Sequence, residues 1–189
     1  VAGEPVELTG KKVVLAFVLH PNPDKFNGVA ALKKRGIRVV SLPAVIDAIP
    51  EVDKLRRAWF YERYQPDYPP QLVLPESLGE ATTLRAAGLT FTLHALGPSV
   101  SKAHLVVQLG KHVFVGDMLA NKHHAWLELG LVDEWIAALE KIKALNPQYV
   151  YPGRGYASSA RLIDEQIAYL NFVRTTVKTT TQCKPFTDR

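Results

Sequence analysis

Residues 12–19, KVVLAFVL, form an unbroken apolar run rich in β-branched side chains, and it stops abruptly at the turn-rich HPNPD. A run with no polar alternation reads as a strand buried on both faces, which needs covering layers above and below. The pattern NGVAALKKR from Asn27 to Arg35 then reads as a helix, Gly36 stops it, and IRVVSL begins a second apolar strand. Strand, helix, strand in this order predicts a βαβ unit with parallel strands, so the chain is constrained to an α/β architecture from its first forty residues.

An amphipathic stretch from Val52 to about Tyr64 predicts a further helix, ended by the proline-rich QPDYPPQ. Beyond it the pattern shortens. LVLPESL, TTLRAA, LTFTLHAL, HLVVQL and HVFVGDML are strand-like runs separated by Gly, Pro or charged turns, which predicts antiparallel pairing. In DEWIAALEKIKAL the apolar residues Trp135, Ile136, Leu139, Ile142 and Leu145 fall near one helical face, and Asp133 and Glu134 suit its N-terminus. QYVYPG predicts a last strand and SSARLIDEQIAYLNFVRTTV a last helix, with Ser158 or Ser159 as its cap. Helices outside strands make the expected fold an αββα sandwich: one domain over residues 1–177 and a polar tail at 178–189.

Composition narrows the function classes. With 189 residues of which 47% are hydrophobic, the chain can bury a core of its own. The formal charge of +5 comes from scattered basic residues without an interleaved aromatic stripe, so nucleic acid is not an expected partner. No apolar run is long enough to span a membrane and no signal peptide is visible, so a soluble chain is expected, with its compartment open. The single cysteine, Cys183, excludes a disulfide framework and a cysteine zinc site within the chain.

Four separated segments resemble the metallo-β-lactamase superfamily, in order and over about residues 13–173. VLHPNPDKFNG stands where that family has its HxHxDHxGG loop, HALGPSVSKAHLVVQL follows the frame of its GHTPGD loop, VFVGDML matches its FxGDxL strand, and YPGRG stands for its PGHG loop. About ten residues precede the first strand, so the resemblance implies an abbreviated or missing N-terminal sheet segment. In the family, two zinc ions about 3.5 Å apart activate a water for hydrolysis.

Carried over position by position, the metal site would comprise His20, Asn22, Asp24, Lys25, Val100, Asp117 and Arg154, and only His20, Asp24 and Asp117 keep a ligand of the family's type. Asn22 is a weak zinc ligand, Val100 is none, and Lys25 and Arg154 bring positive charge. The expectation is therefore a protein without metal cofactor that is not an active zinc hydrolase. Its cleft would hold Asp24 and Asp117 as buried carboxylates salt-bridged to Lys25 and Arg154, in a binding or regulatory module. The alternative is a hydrolase with one zinc or manganese ion bound by His20, Asp24 and Asp117 with His123 or His124. Lys25, Arg154 and the GRG backbone form a further candidate, a site for an anion. His94, His104 and His112 are read as surface or packing residues. The aromatic run from Trp59 to Tyr68 is a candidate interface if exposed. A small-molecule or protein partner is expected without being specified, and an unpaired sheet edge leaves homo-oligomerisation open.

Overall fold

The computed structural model describes residues 10–182, and Cys183 lies outside them. They form two compact units, one up to Leu96 with Ser101–Leu109, the other Gly97–Val100 with the chain from Gly110 onward.

The first unit opens with the predicted βαβ pair. β1 (Leu15–Phe17) and β2 (Arg38–Ser41) run parallel, with Leu15 opposite Arg38 and Phe17 opposite Val40. Val18 continues the ladder by donating to Val40 O at 2.9 Å, so the pairing carries to within two residues of His20. The loop after β1 is not irregular throughout. Pro23–Phe26 wind into a short helix, α1, because Pro23 needs no N–H partner in a first turn while Asn22 O accepts from both Lys25 and Phe26. α2 (Val29–Lys34) follows.

α3 spans Pro43–Phe60 and begins well before the expected Val52. Pro43 sits where a proline costs the helix nothing, and Pro50 inside it forfeits a single hydrogen bond. The buried residues Val45, Ile49, Asp53 and Arg56 recur every three or four positions, so burial of one face overrides the break. LVLPESL also departs from expectation: only Glu76–Ser77 form a strand, β3, and it pairs with β2 in parallel rather than antiparallel. Glu76 is held to β2 by the Arg38 guanidinium, which lowers its carboxyl below the ordinary glutamate value. β4 (Thr83–Ala86), β5 (Leu89–Leu96) and β6 (His104–Leu109) are the antiparallel strands the short runs predict.

In the second unit β7 (His112–Ala120) and β8 (Tyr149–Arg154) pair in parallel, with helix α4 (Val132–Ala144) as their crossover. Ser158 and Ser159 do not cap a helix but form β9, antiparallel to β8. The last helix, α5, runs Arg161–Gln182, so the boundary expected at 177 falls inside it. Trp135, 1% exposed, fastens α4 to β7 by donating its indole N–H to Met118 O at 3.0 Å. Lys143 and Asp164 at 2.6 Å tie α4 to α5, and so does Arg174 with Asp133. Among the described residues no helix is long and apolar enough to cross a membrane.

Candidate functional site

The candidate positions fall in both units. In the first, the end of β1 delivers His20 into the interior, where it is 0% exposed. It stacks on His104, itself 1% exposed, with ring centroids 4.7 Å apart and planes 20° from parallel. Leu105 N donates to Leu19 O at 2.7 Å, so the strand ends that carry the two imidazoles are joined through the backbone next to them. Packing is therefore the right category for His104, although its partner was not legible; nothing in the HxH spacing of the first loop points to a residue more than eighty positions away.

Asn22 lies at the N-terminal edge of α1, extended, with its side chain making no capping bond. Asp24 and Lys25 sit on α1 itself, and Lys25 Nζ lies 2.9 Å from Asp24 Oδ2. This is a contact between sequence neighbours, and the burial expected for Asp24 is absent: its side chain is 41% exposed. An exposed carboxylate is solvated by water and does not demand a cation in the way a buried one does.

In the second unit the demand is real. Asp117, on the buried stretch of β7, is 6% exposed, and its Oδ2 accepts from Arg154 Nε at 3.1 Å and lies 3.0 Å from Nη2 of the same guanidinium. Two nitrogens of the guanidinium converge on one carboxylate oxygen, while the arginine side chain as a whole is 47% exposed. Gly153 makes the approach possible. A Cβ there would lie 1.8 Å from Asp117 Oδ1 and 2.7 Å from Asp117 N, so no side chain fits between β8 and this carboxylate. The glycine of YPGRG is the sequence signal for that contact. Val100 is an apolar, buried residue, 5% exposed.

Beyond Asp117 the ends of β7 and β8 are stapled by Asn121. Its N–H donates to Arg154 O at 2.9 Å and its side-chain amide to Tyr156 O at 2.9 Å. Its carbonyl oxygen accepts from His123 Nδ1 at 2.8 Å. Gly155, with φ of +82°, passes so close that a Cβ would be 2.2 Å from the same oxygen. His124 Nδ1 is 3.4 Å from Tyr169 OH, so the two adjacent histidines turn to different partners. Among the described residues, no group of three or more His, Cys, Asp or Glu is assembled in a way that could hold a metal ion.

Other expected features resolve more simply. His94 pairs with Gln108 at 3.0 Å across β5 and β6, and His112 with Tyr151 OH at 2.7 Å across β7 and β8. The aromatic run is partly exposed: Trp59 is 52% and Tyr64 51% exposed, whereas Tyr68 is 6%. Two arginines just before the run lie over its rings, Arg56 at 4.7 Å from Trp59 and Arg57 at 5.2 Å from Tyr68.

Residues 4–154 match the family model described as the metallo-beta-lactamase superfamily. Solved structures agree. A metallo-beta-lactamase from Pontibacter korlensis superposes with a TM-score of 0.66 at 16% identity, covering 88% of this chain and 73% of that one. The metallo-beta-lactamase FIM-1 from Pseudomonas aeruginosa, in a mono-zinc form, superposes at 0.63 with 17% identity, 88% of this chain and 70% of that. The DIM-1 metallo-beta-lactamase gives 0.66 at 15% identity over 89% and 73%. No curated protein matches the sequence.

Proposed function

Because the chain belongs to the metallo-β-lactamase superfamily and has its αββα fold, we propose that it keeps the scaffold without the hydrolytic metal centre and serves as a metal-free binding or regulatory module. The observation that carries this reading is the Asp117–Arg154 pair. Asp117 stands at the family's bridging carboxylate, and a carboxylate binds zinc through the same lone pairs that here face the Arg154 guanidinium, one of them accepting its Nε–H. Arginine does not deprotonate to make way, and a cation held within a few ångströms opposes a second one. Val100, buried and apolar, offers no donor at its position, and Asn22 is a weak one. The residues present do not fit a dinuclear zinc site, so no reaction step is routed through one.

On this reading the compensation inside the second unit is the decisive one. Asp117 is buried, and the Arg154 guanidinium lies against its carboxylate with the opposite charge. Lys25, partly buried, and the exposed Asp24 form a neighbouring pair that contributes little to stability. The module's partner is a small molecule or a protein engaging the strand-end loops.

The test is the metal content of purified protein incubated with excess zinc, then with manganese, and desalted, by elemental mass spectrometry. Less than about a tenth of an equivalent of either metal is expected. About one equivalent, lost in Asp117→Ala, would overturn the reading in favour of a mononuclear hydrolase built on His20, Asp24 and Asp117 with His123 or His124. Arg154→His, which restores the family's ligand type and removes the competing cation, is expected to raise the metal content above that of the unmodified chain.

A further inference from the structure

The loops after β7 and β8 carry a second arrangement that the metal positions do not explain. Lys122 has a φ of +59°, a left-handed conformation that a lysine adopts only when its surroundings impose it. Its neighbours impose it: Asn121 is bonded to Arg154 O and Tyr156 O on one side, and its own carbonyl is bonded to His123 on the other. Lys122 is thus held outward at the tip of a rigid turn, and it is exposed.

The bond to His123 has a chemical consequence. A carbonyl oxygen only accepts, so Nδ1 of His123 carries the proton, and in the neutral ring Nε2 is left with a lone pair. The imidazole is exposed, so that lone pair is available to a hydrogen-bond donor. On the other side of Asn121, Tyr156 is 89% exposed, the highest exposure of any large apolar or aromatic side chain described. Its backbone is nonetheless fixed, through Asn121 Nδ2 and through the close passage of Gly155 against Asn121 O. A fully exposed ring on a fixed backbone presents a stacking surface with little ordering cost.

We propose that this cluster, Lys122, His123 and Tyr156 gathered on Asn121, is a binding site for a small planar aromatic anion that also carries a hydrogen-bond donor. The ring of the ligand stacks on Tyr156, its anionic group pairs with Lys122, and its donor meets His123 Nε2. The site lies at the C-terminal ends of parallel strands, where open α/β sheets bind ligands. Because His123 is also a candidate ligand in the mononuclear alternative, the site rests on the metal-free reading, and the metal measurement above tests that reading separately.

The experiment is a titration of isotopically labelled full-length protein, in the presence of a chelator, with 4-hydroxybenzoate, benzoate and cyclohexanecarboxylate, followed by amide chemical shifts. 4-Hydroxybenzoate is expected to shift Asn121, Lys122, His123 and Tyr156 with a millimolar or tighter Kd. Cyclohexanecarboxylate, with no π face, and benzoate, with no donor, are each expected to bind at least about threefold more weakly. Tyr156→Ala is expected to weaken 4-hydroxybenzoate by about fivefold or more, with Tyr156→Phe close to the unmodified chain. Lys122→Ala should lower affinity and flatten its salt dependence. Equal affinity for 4-hydroxybenzoate and cyclohexanecarboxylate, shifts centred elsewhere, or an unchanged Kd in Tyr156→Ala would each overturn the proposal. All three variants alter exposed side chains, so their unchanged melting temperatures serve as the control for folding.

Discussion

Gly153 concentrates at one atom what the second unit requires of its residues. Its missing side chain lets β8 press against Asp117, and its neighbour Arg154 then reaches round to the carboxylate. Gly153→Ala should therefore be far more damaging than a half-exposed glycine suggests: a methyl group 1.8 Å from Asp117 Oδ1 and 2.7 Å from backbone atoms must displace β7 or β8. A loss of about 2–4 kcal/mol is expected, read as a lower denaturant midpoint with unchanged slope. A loss below about 0.5 kcal/mol would mean that the two strands do not sit this close. At this scale the sequence is informative where chemistry is explicit. Carboxylates and cations at known motif positions pointed to charge compensation among Asp24, Lys25, Asp117 and Arg154, because charge is a property of residue type, but not to which cation meets which carboxylate. The exposure of Asp24 and the stacking of His20 on His104 were not announced, because they depend on the direction in which a short helix and a distant strand present their side chains.

Among the elements, the hairpin of β4 and β5 is the simplest to read and to improve. Ala86 faces Leu89, which leaves a two-residue loop, Ala87–Gly88, with φ of +51° and +75°. Both values belong to the tight turn that matches the twist of the flanking strands, and glycine meets the second at no cost whereas alanine strains at the first. Ala87→Asn should raise stability by about 0.5–1 kcal/mol, measurable as a higher urea midpoint; a decrease would argue against this turn. The hairpin was legible because its information is local. The parallel pairings of β3 with β2 and of β8 with β7 were not, since a short apolar run does not reveal whether its partner is the next strand or one beyond a helix. α3 was half legible for a related reason: Pro43 and Pro50 look like punctuation until the buried face from Val45 to Arg56 is seen to hold the helix across them.

For the molecule as a whole, family membership was legible from four motif segments although identity to the solved structures is only 15–17%. Spacing along the chain survives where individual side chains do not. The metal-free reading carries a thermodynamic expectation at this scale. A ligand that binds only the folded state stabilises it in proportion to the logarithm of its concentration, so a resident metal would make the melting temperature depend on metal supply. The melting temperature is expected to change by less than about 1 °C between excess zinc and excess chelator. A drop of about 5 °C or more on chelation would identify an ion as part of the native state.

The Asp117–Arg154 contact also separates this chain from any protein whose charge balance is completed from outside. An exchangeable ion is lost on dilution, on acidification or to a stronger binder; a guanidinium joined to the same backbone is present at a fixed effective concentration for the lifetime of the molecule. On the metal-free reading, each newly synthesised copy finishes its own interior without cofactor loading, and there is no apo population for scarcity to create.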